Sequence, residues 1–448
     1  MGMTMVEKIS ADASPEKRLF ISLITRDITL TDAFLDLIDN SINAALEPMA
    51  DDLKTADDYQ RLLANKRIKP KVQIELTVSS GRIEVHDNAA GIAAETARKH
   101  VFKFGKDPSD NTKSDRLSVY GLGLKRAMFK CGNKIHMISD HSKGGFELKE
   151  DVQSWAEKRD GPWTLDITPR APVKSDFGTS IVISQLHDEV LRRLDDGLFI
   201  PQLKDRIART YSFFIGRVVD IFVNGSLVEK ESFEIGANYA SHKFRSGSVS
   251  CNITAGMAVS KGDVFRDRNA GWFVFCNGRT VLFADKTSVT GWSNAGLPIF
   301  QPKHRPFLGT VFFVSPDPEA LPWTTTKAAI NEENIVWQGA KREMVRIGRV
   351  ITEFLDHRYS DEGTRIAPSE LQDASGAGVS VLTAAVARAR TFKPPIRPAP
   401  RTVKIQYDAK TDDVGKIITY LRRPSMSGSE VGRYTFNHFL KNEVGGDE

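Results

Sequence analysis

The chain has 448 residues, enough for about three domains, and its 40% hydrophobic and 27% charged content is that of an ordinary soluble globular protein. No apolar run approaches the roughly 18 residues that a membrane span needs, and the N-terminal MGMTMVEKIS lacks the apolar core of a signal peptide. Three widely separated cysteines and nine histidines without HExxH-like spacing argue against a disulfide framework and a dedicated transition-metal site. We therefore expect a cytoplasmic protein without a membrane segment. Its net charge of +5 is compatible with nucleic acid but does not require it.

The first predicted elements are a helix and a hairpin. After a lead-in arm of about 30 residues, a helix is expected over 31–46, with Thr31 as its N-cap and Asp32 in its first turn. Aliphatic residues alternate on both sides of a Ser-Ser-Gly turn within 71–85, which predicts a β-hairpin.

A long loop and a glycine-rich turn come next. Residues 93–120 are polar and contain glycine, and the turn at 121–123 opens a helix that continues to Lys130. The later elements are predicted strands at 134–139, 163–168, 179–184, 218–223, 271–276 and 310–314, and predicted helices at 203–214 and 335–359.

Three polar side chains share one face of the helix predicted at 31–46. Asp36, Asn40 and Asn43 fall at i, i+4 and i+7, opposite an apolar face that would enter the core. A solvated helix face is the ordinary interpretation of this pattern. Only the neighbouring motifs favour a functional one.

Asp87 ends the second hairpin strand on the same face as Ile83 and Val85. A buried carboxylate needs a partner, and the exocyclic amine of adenine would provide one. The alternative is a turn-forming aspartate that accepts hydrogen bonds from nearby backbone amides.

The run YGLGLK at 120–125 contains groups that bind phosphate. Glycines let backbone N–H groups approach an anion closely, the following helix N-terminus favours negative charge, and Lys125 adds a positive charge. A GxGxK run is by itself often only a tight turn, and neither a P-loop nor a dinucleotide-binding GxGxxG unit is present. Gly178 and Thr179 begin a later strand, where the threonine hydroxyl would bond through water to Asp87 and the base.

The order and spacing of these four motifs resemble those of the GHKL ATPases, the superfamily of gyrase, Hsp90, histidine kinases and MutL. The resemblance covers residues 18–190 well and 200–330 more loosely. The runs DLIDNSINA, FGK and GLGLKRAMFKCG look most like MORC-type and stand-alone prokaryotic Hsp90-like members. The resemblance implies binding of ATP and Mg²⁺ in a Bergerat-type α/β sandwich, with residues 93–120 as the ATP lid.

The resemblance also implies a role for each matching residue. Asp36 takes the general-base position, Asn40 the magnesium-ligand position and Asp87 the adenine-reading position. Lys327, in the run PWTTTKAAI, matches a lysine that reaches the γ-phosphate from a second domain, and a surface lysine after a threonine-rich turn is the alternative. The other nucleotide-binding positions are Asn43, Gly91, Ile92, Gly121, Leu122, Gly123, Leu124, Lys125 and Thr179.

The chain departs from the family pattern in its polar motifs. Asp36 stands where glutamate is usual and is one methylene shorter, so we expect slow hydrolysis. Ala89 replaces the first glycine of D-x-G-x-G, which is tolerated if its φ is negative. Asn43 replaces a frequent aspartate, and we expect a structural part for it. Arg279 follows a predicted hairpin turn and is not assigned to phosphate.

The resemblance, together with the composition of the later residues, predicts an α+β fold in four segments. Residues 1–195 would form the ATP-binding domain and 196–360 an S5-like α/β transducer domain. The proline-rich, basic residues 361–400 would form an extended linker. Residues 401–448 would form a strand–helix–helix module that loosely resembles a ribbon-helix-helix and offers one strand face to a DNA groove. That face carries Thr402, Lys404 and Gln406. The alternative is a small packing or dimerisation appendage without DNA contact.

We therefore predict slow Mg-ATP hydrolysis by a homodimeric clamp or switch, with DNA and a protein encoded nearby as candidate partners. Two alternatives keep the nucleotide. One is a Hsp90-like chaperone or scaffold in a defence or signalling complex, and the other is a non-hydrolysing pseudo-enzyme that binds ATP as a structural ligand. A histidine kinase is disfavoured because no dimerisation helix with a phospho-acceptor histidine precedes the predicted site.

Overall fold

The computed structural model describes residues 15–65, 67–105, 116–117, 121–158, 163–259, 269–360, 377–386, 389–393 and 403–444. The chain divides into two compact units, Met1–Pro394 and Pro395–Glu448. Among the residues in these ranges, no helix combines the length and the apolar character required to cross a bilayer.

The first β-sheet of the larger unit has eight strands. They are β1 (Val72–Val78), β2 (Arg82–Asp87), β3 (Gly132–Asp140), β4 (Phe146–Asp151), β5 (Ile167–Pro169), β6 (Gly178–Leu186), β7 (Val219–Val223) and β8 (Ser226–Leu227). Their order across the sheet is β5-β4-β3-β6-β2-β1-β7-β8. Every neighbouring pair is antiparallel except β1 and β7, which are parallel.

Helices accompany this sheet along the chain. They are α1 (Lys17–Arg26), α2 (Leu30–Leu46), α3 (Ala56–Ala64), α4 (Ala94–Thr96), α5 (Gly123–Cys131), α6 (Val152–Glu157), α7 (Asp188–Leu194) and α8 (Phe199–Thr210). Helix α2 confirms the predicted helix, but its N-cap is Thr29 and not Thr31. The Thr29 hydroxyl accepts from the Asp32 amide while the Asp32 carboxylate accepts from the Thr29 amide, a capping box that satisfies backbone donors at the helix start.

The predicted hairpin is confirmed by the pairing of β1 with β2, in which Ile74 faces Asp87. Buried residues alternate with more exposed ones along both strands, as expected for strands with one face against the core. The strand predicted at 163–168 is wrong over most of its length. Strand structure begins only at Ile167, where the chain pairs with β4.

The second sheet contains β9 (Glu234–Ser246), β10 (Val249–Ala258), β11 (Gly271–Cys276), β12 (Arg279–Asp285), β13 (Phe307–Val314) and β14 (Gly378–Ser380). The order is β12-β11-β13-β10-β9-β14, with β11 and β13 parallel. Strands β11 and β13 are buried along their whole length. The long helix α9 (Ile335–Ser360) packs against this sheet through Trp337, which contacts Phe313.

The two sheets do not separate at residue 195. Strands β7 and β8 lie beyond that residue but complete the first sheet, because β7 pairs in parallel with β1. Part of the expected linker at 361–400 also belongs to the larger unit. Strand β14 pairs with β9, and it leads into the short helix α10 (Val381–Val386), which contributes buried aliphatic side chains. The proline-rich residues 394–400 lie outside the described residues.

The smaller unit contains the helices α11 (Thr411–Leu421) and α12 (Gly428–Phe439). Helix α12 begins with a capping box between Ser427 and Glu430, so its N-cap is Ser427. The predicted strand is not formed over the described residues 403–407. A strand needs a neighbour for its backbone hydrogen bonds, and this short segment finds none within the described part of its own chain. Thr402 lies outside the described residues.

All three cysteines are buried and free. Burial raises the pKa of the Cys131 thiol to about 12. It also holds the pKa values of Cys251 and Cys276 above their usual range. This fits the expectation that the cysteines form no disulfide framework.

Candidate functional site

Helix α2 separates an apolar face from a polar one. Phe34, Leu35 and Ile38 are buried in the core. Asn40 and Asn43 line a cavity on the other side of the helix. Asp36 shares their face but is only 2% exposed, and it points into a cluster of charged residues.

The first cavity has a volume of about 390 Å³ and lies between α2, the turn after β2, the start of β6 and the loop before α5. Most of the predicted nucleotide-binding residues meet on its wall. They are Asn40, Asn43, Asp87, Gly91, Ile92, Gly121, Leu124 and Thr179. Segments that are far apart in the sequence are thus brought to one site.

Asp87 lines this cavity and is 5% exposed. Its carboxylate accepts hydrogen bonds from the Ser41 hydroxyl (2.7 Å) and the Ala89 amide (3.1 Å). Burial raises the pKa of Asp87, and these hydrogen bonds oppose that rise without cancelling it. The carboxylate therefore has acceptor capacity in an environment where a further donor would stabilise its charge.

The turn after β2 requires glycine at position 91. Gly91 has φ +69°, and a Cβ there would lie 2.0 Å from the carbonyl oxygen of Asp140. Ala89, which replaces the first glycine of the motif, is not among the residues with positive φ. The replacement is therefore accommodated without strain.

Two serines were missed by the sequence analysis. Ser41 lies next to Asn40 on α2 and donates to Asp87, as described above. Ser139 forms a hydrogen bond with the Thr179 hydroxyl (2.9 Å) and accepts from the Ile92 amide (2.7 Å). Ser41 could have been predicted, because it directly follows Asn40 in the helix motif. Ser139 could not, because only the pairing of β3 with β6 brings it next to Thr179.

The remaining wall of the first cavity carries four basic residues and one acidic residue, Glu47. His100 and Lys103 come from the described start of the expected lid, and His141 and Lys143 come from the turn after β3. Residues 106–115 and 118–120 of that lid lie outside the described residues. Basic side chains around an otherwise mixed cavity favour an anionic ligand.

Asn43 and Lys125 form hydrogen bonds with the described parts of the expected lid. The Asn43 carboxamide oxygen accepts from the backbone amides of Arg116 (3.1 Å) and Leu117 (2.8 Å). The buried Lys125 ammonium donates to the carbonyl oxygens of Val101 (2.7 Å) and Lys103 (2.8 Å). The structure thus places Lys125 behind the cavity wall, where it holds the backbone that forms the wall.

Lys327 meets Asp36 in the interior. Its Nζ lies 3.5 Å from Asp36 Oδ1 and 2.6 Å from Asp39 Oδ2. Arg126 contacts the other Asp36 oxygen through its Nε. Leu122, Gly123, Arg126 and Lys327 line a second cavity of about 330 Å³. The two residues predicted as catalytic therefore form an ion pair beside this second cavity.

Asp39, which the sequence analysis did not identify, lies at the centre of a group of buried polar side chains. Arg279 donates through Nε to Asp39 Oδ1 (3.1 Å) and through Nη1 to the carbonyl oxygen of Lys327 (2.7 Å). The Tyr211 hydroxyl donates to Asp39 Oδ1 (2.7 Å). Burial alone would raise the pKa of Asp39, but the nearby Arg279 and Lys327 outweigh burial and lower it. Asp39 is thus a carboxylate held in its charged form.

Comparison with known proteins gives one family match, which spans most of the site. Residues 28–179 match the model of the family described as histidine kinase-, DNA gyrase B-, and HSP90-like ATPase. The matched segment runs from the start of α2 to the start of β6 and contains every predicted site residue except Lys327. The match supports the GHKL superfamily for this segment, and with it nucleotide binding and an ATP-utilising activity. No curated protein matches the chain.

Proposed function

We propose that the chain binds Mg-ATP in the first cavity and hydrolyses it slowly. One observation carries this proposal. Asn40, Asp87 and Thr179 come from three separate elements and line one cavity, within the segment that matches an ATPase family.

Adenine recognition is assigned to Asp87. The exocyclic amine of adenine would donate to this buried carboxylate and so offset part of the cost of burying its charge. Thr179 pairs with Asp87 across β2 and β6, and its hydroxyl is oriented by Ser139. This arrangement supports an orienting role for Thr179 beside the base.

Phosphate and magnesium binding are assigned to Asn40 and the loop before α5. The Asn40 amide nitrogen donates to the Asp36 carbonyl oxygen (2.7 Å), so its carboxamide oxygen is the group that remains for a ligand. Among the described residues no group of three or more His, Cys, Asp or Glu side chains could hold a metal ion. An Mg²⁺ ion would therefore be held mainly by the phosphates, with Asn40 as the protein ligand, and would neutralise phosphate charge.

Asp36 is assigned as the general base for attack on the γ-phosphate. Its oxygens contact Arg126 and Lys327, and the side chain is buried. Asp36 must therefore give up at least one of these contacts before it can accept a proton from water. This requirement supports slow turnover. The same contacts of Asp36 favour a second candidate function, that of a protein that binds ATP without hydrolysing it.

Lys327 is assigned as the γ-phosphate sensor of a dimeric clamp or switch. Its backbone carbonyl oxygen accepts a hydrogen bond from Arg279 of β12, a strand of the second sheet. If Lys327 moves toward a terminal phosphate, its contacts with Asp36 and Asp39 change, and the second sheet is linked to that change through Arg279. Two parts of this proposal rest on the sequence alone. They are the closure of a homodimer and the capture of DNA.

Measuring steady-state ATP turnover tests the enzymatic claim. Asp36→Asn keeps the size of the side chain but removes the base, so the turnover rate should fall at least about 100-fold. The exposed Asp188 on α7 provides the matched control, because Asp188→Asn should keep the wild-type rate. Equal rates for wild type and Asp36→Asn would remove Asp36 from its role. A wild-type protein that binds ATP without turnover would establish the non-hydrolysing alternative.

A further inference from the structure

The charged residues around Asp36 carry a surplus of positive charge. The buried charge cluster consists of Asp36, Asp39, Arg126, Arg279 and Lys327. Each of its members is at most 7% exposed. Two carboxylates face three cations, so one positive charge has no carboxylate within the cluster. Buried charge without a counterion is costly, which makes the cluster a favourable place for an additional anion.

The second cavity gives such an anion access to the cluster. It has a volume of about 330 Å³, and the two cations of the cluster that line it are Arg126 and Lys327. Its remaining wall combines the apolar Leu23, Ile24 and Ile28 with Asp27 and two threonines. A cavity of this size accommodates far more than one water molecule, which occupies about 30 Å³.

The loop before α5 lies between the two cavities. Gly121 and Leu124 line the first cavity, whereas Leu122 and Gly123 line the second. Gly123 is also the first residue of α5, a nine-residue helix whose N-terminus favours negative charge. Residues 121–124 therefore contact both cavities, and a ligand that extends past them from the first cavity would reach the two cations.

We propose that Arg126 is a second phosphate-binding residue, which together with Lys327 holds the terminal phosphate of the nucleotide in the second cavity. This inference rests on the proposed function, and it adds a residue that neither the motifs nor the family match assigns. The terminal phosphate supplies the anion that the buried charge cluster lacks.

The contacts of Arg126 suit this role. Its Nε donates to Asp36, and its Nη1 donates to the carbonyl oxygen of Thr325 (3.3 Å), two residues before Lys327. A guanidinium has five N–H donors, so two contacts leave donors for a phosphate oxygen. The forked shape of arginine matches phosphate geometry better than a lysine ammonium does.

Binding at this position also has a consequence for the general base. A terminal phosphate competes with Asp36 for Arg126 and Lys327, so its arrival loosens both contacts of the Asp36 carboxylate. The triphosphate thereby frees Asp36 to accept a proton from the attacking water, whereas a diphosphate leaves the Asp36 carboxylate held by Arg126 and Lys327. Arg126 acts in this scheme by binding phosphate and positioning Asp36.

The inference is tested by comparing how tightly the full-length protein binds a triphosphate and a diphosphate. Isothermal titration calorimetry with Mg-AMP-PNP and Mg-ADP gives the two dissociation constants and their ratio. Arg126→Gln should weaken Mg-AMP-PNP binding about 10- to 100-fold, the range typical for a lost hydrogen bond to a charged group. Mg-ADP binding should change less than about threefold, because the cavity that binds the base and the inner phosphates is untouched. Arg346→Gln, on the exposed face of α9, is the matched control and should change neither value.

The possible outcomes separate the inference from the proposed function. If the wild type binds neither nucleotide, the proposed function fails. If the wild type binds both nucleotides and Arg126→Gln weakens both equally, Arg126 is only structural and this inference is overturned while the proposed function stands. If Arg126→Gln does not fold, Arg126→Lys decides. That variant keeps the positive charge but loses the forked guanidinium, so the preference for Mg-AMP-PNP over Mg-ADP should fall several-fold. An unchanged preference would overturn the inference.

Discussion

Asp39 and Asp87 are both buried, yet their surroundings have opposite effects on charge. Two cations lie beside Asp39, and the pKa of Asp39 is lowered although burial opposes this. Asp87 receives only neutral donors in direct contact, and burial raises its pKa. The first aspartate stabilises the fold in its charged form. Burial disfavours the charged form of the second, and a ligand that provides another donor would stabilise that form.

Asp87→Asn should therefore separate stability from binding. Because the folded-state pKa of Asp87 is raised above its ordinary value of 3.8, its contribution to stability is present below that value and is lost as the pH rises through the folded-state pKa. The free energy of unfolding of the wild type, relative to Asp87→Asn, should accordingly decrease as the pH rises above 3.8 toward the raised folded-state pKa. Urea unfolding at several pH values measures this difference.

The same variant should bind Mg-AMP-PNP at least about tenfold more weakly, because an amide replaces the carboxylate that is proposed to accept a hydrogen bond from adenine. Asp188→Asn serves again as the exposed control. Undiminished nucleotide affinity in Asp87→Asn would show that the base is read elsewhere. A stability difference that grows with pH would contradict the assigned environment of Asp87.

Single residues were predictable where a motif is local. Asp36, Asn40 and Asn43 lie within eight consecutive positions of one helix, so their common face follows from helical periodicity. The roles of Asp39 and Arg279 were not predictable in this way. Their contact joins residues 240 positions apart, and nothing in the spacing of either motif indicates it. Lys327 was found only because its run resembles a known family.

Among the elements, the turn between β2 and α4 constrains the site most tightly. Gly91 has a left-handed backbone and contacts the end of β3 through the Asp140 carbonyl oxygen. A side chain at this position must displace β3 or the turn, and both contribute to the cavity wall.

Gly91→Ala should thus lower the free energy of unfolding by about 1–3 kcal/mol and weaken Mg-AMP-PNP binding at least about tenfold. Gly81→Ala is the matched control. Gly81 lies in the β1–β2 turn, and a Cβ there would meet no atom within 4 Å. Thermal unfolding and calorimetric titration of both variants give the comparison. Wild-type affinity in a folded Gly91→Ala protein would mean that this turn does not shape the nucleotide site.

Elements were predictable where their own sequence carries the periodicity. The alternation in β1 and β2 defined the hairpin, and the amphipathic pattern defined α2. The strand predicted at 163–168 was largely wrong because alternation alone does not supply a hydrogen-bonding neighbour, and β4 is available only to residues 167–169. The position of the α2 N-cap was wrong by two residues, since Thr29 and Thr31 both fit the preference for threonine and only Thr29 can pair with Asp32 in a capping box.

At the scale of the whole molecule, the parallel pairing of β1 with β7 explains why the first domain boundary was hard to predict. Strand β7 lies far along the chain from β1, and its sequence resembles any other buried strand. The C-terminal boundary has a similar cause. Residues 361–400 were predicted as a linker from their proline-rich, basic composition, but Val381, Leu382 and Phe392 are buried in the larger unit.

If the smaller unit contacts DNA as proposed, deleting residues 395–448 should weaken DNA binding and leave the larger unit intact. The cut preserves β14, α10 and Phe392, so melting temperature and Mg-AMP-PNP affinity should match the full-length protein. Affinity for plasmid DNA should fall, and its dependence on salt should become weaker because phosphate contacts are lost. Filter binding at two salt concentrations measures both effects.

A longer deletion, of residues 377–448, provides the structural comparison. It removes Val381, Leu382 and Phe392 from the core, each worth about 1.5–3 kcal/mol of burial, so the remaining protein should melt at a lower temperature. Equal DNA binding by the full-length chain and the protein lacking 395–448 would retire the proposal that the smaller unit contacts DNA.

The buried thiols make the molecule convenient for spectroscopy. Maleimide reagents react with thiolates, and the three native cysteines are both inaccessible and held in the protonated form. A single cysteine introduced on the surface would therefore accept a fluorophore selectively without prior removal of the native ones. Distances between two such dyes would then report directly on any motion that accompanies nucleotide binding.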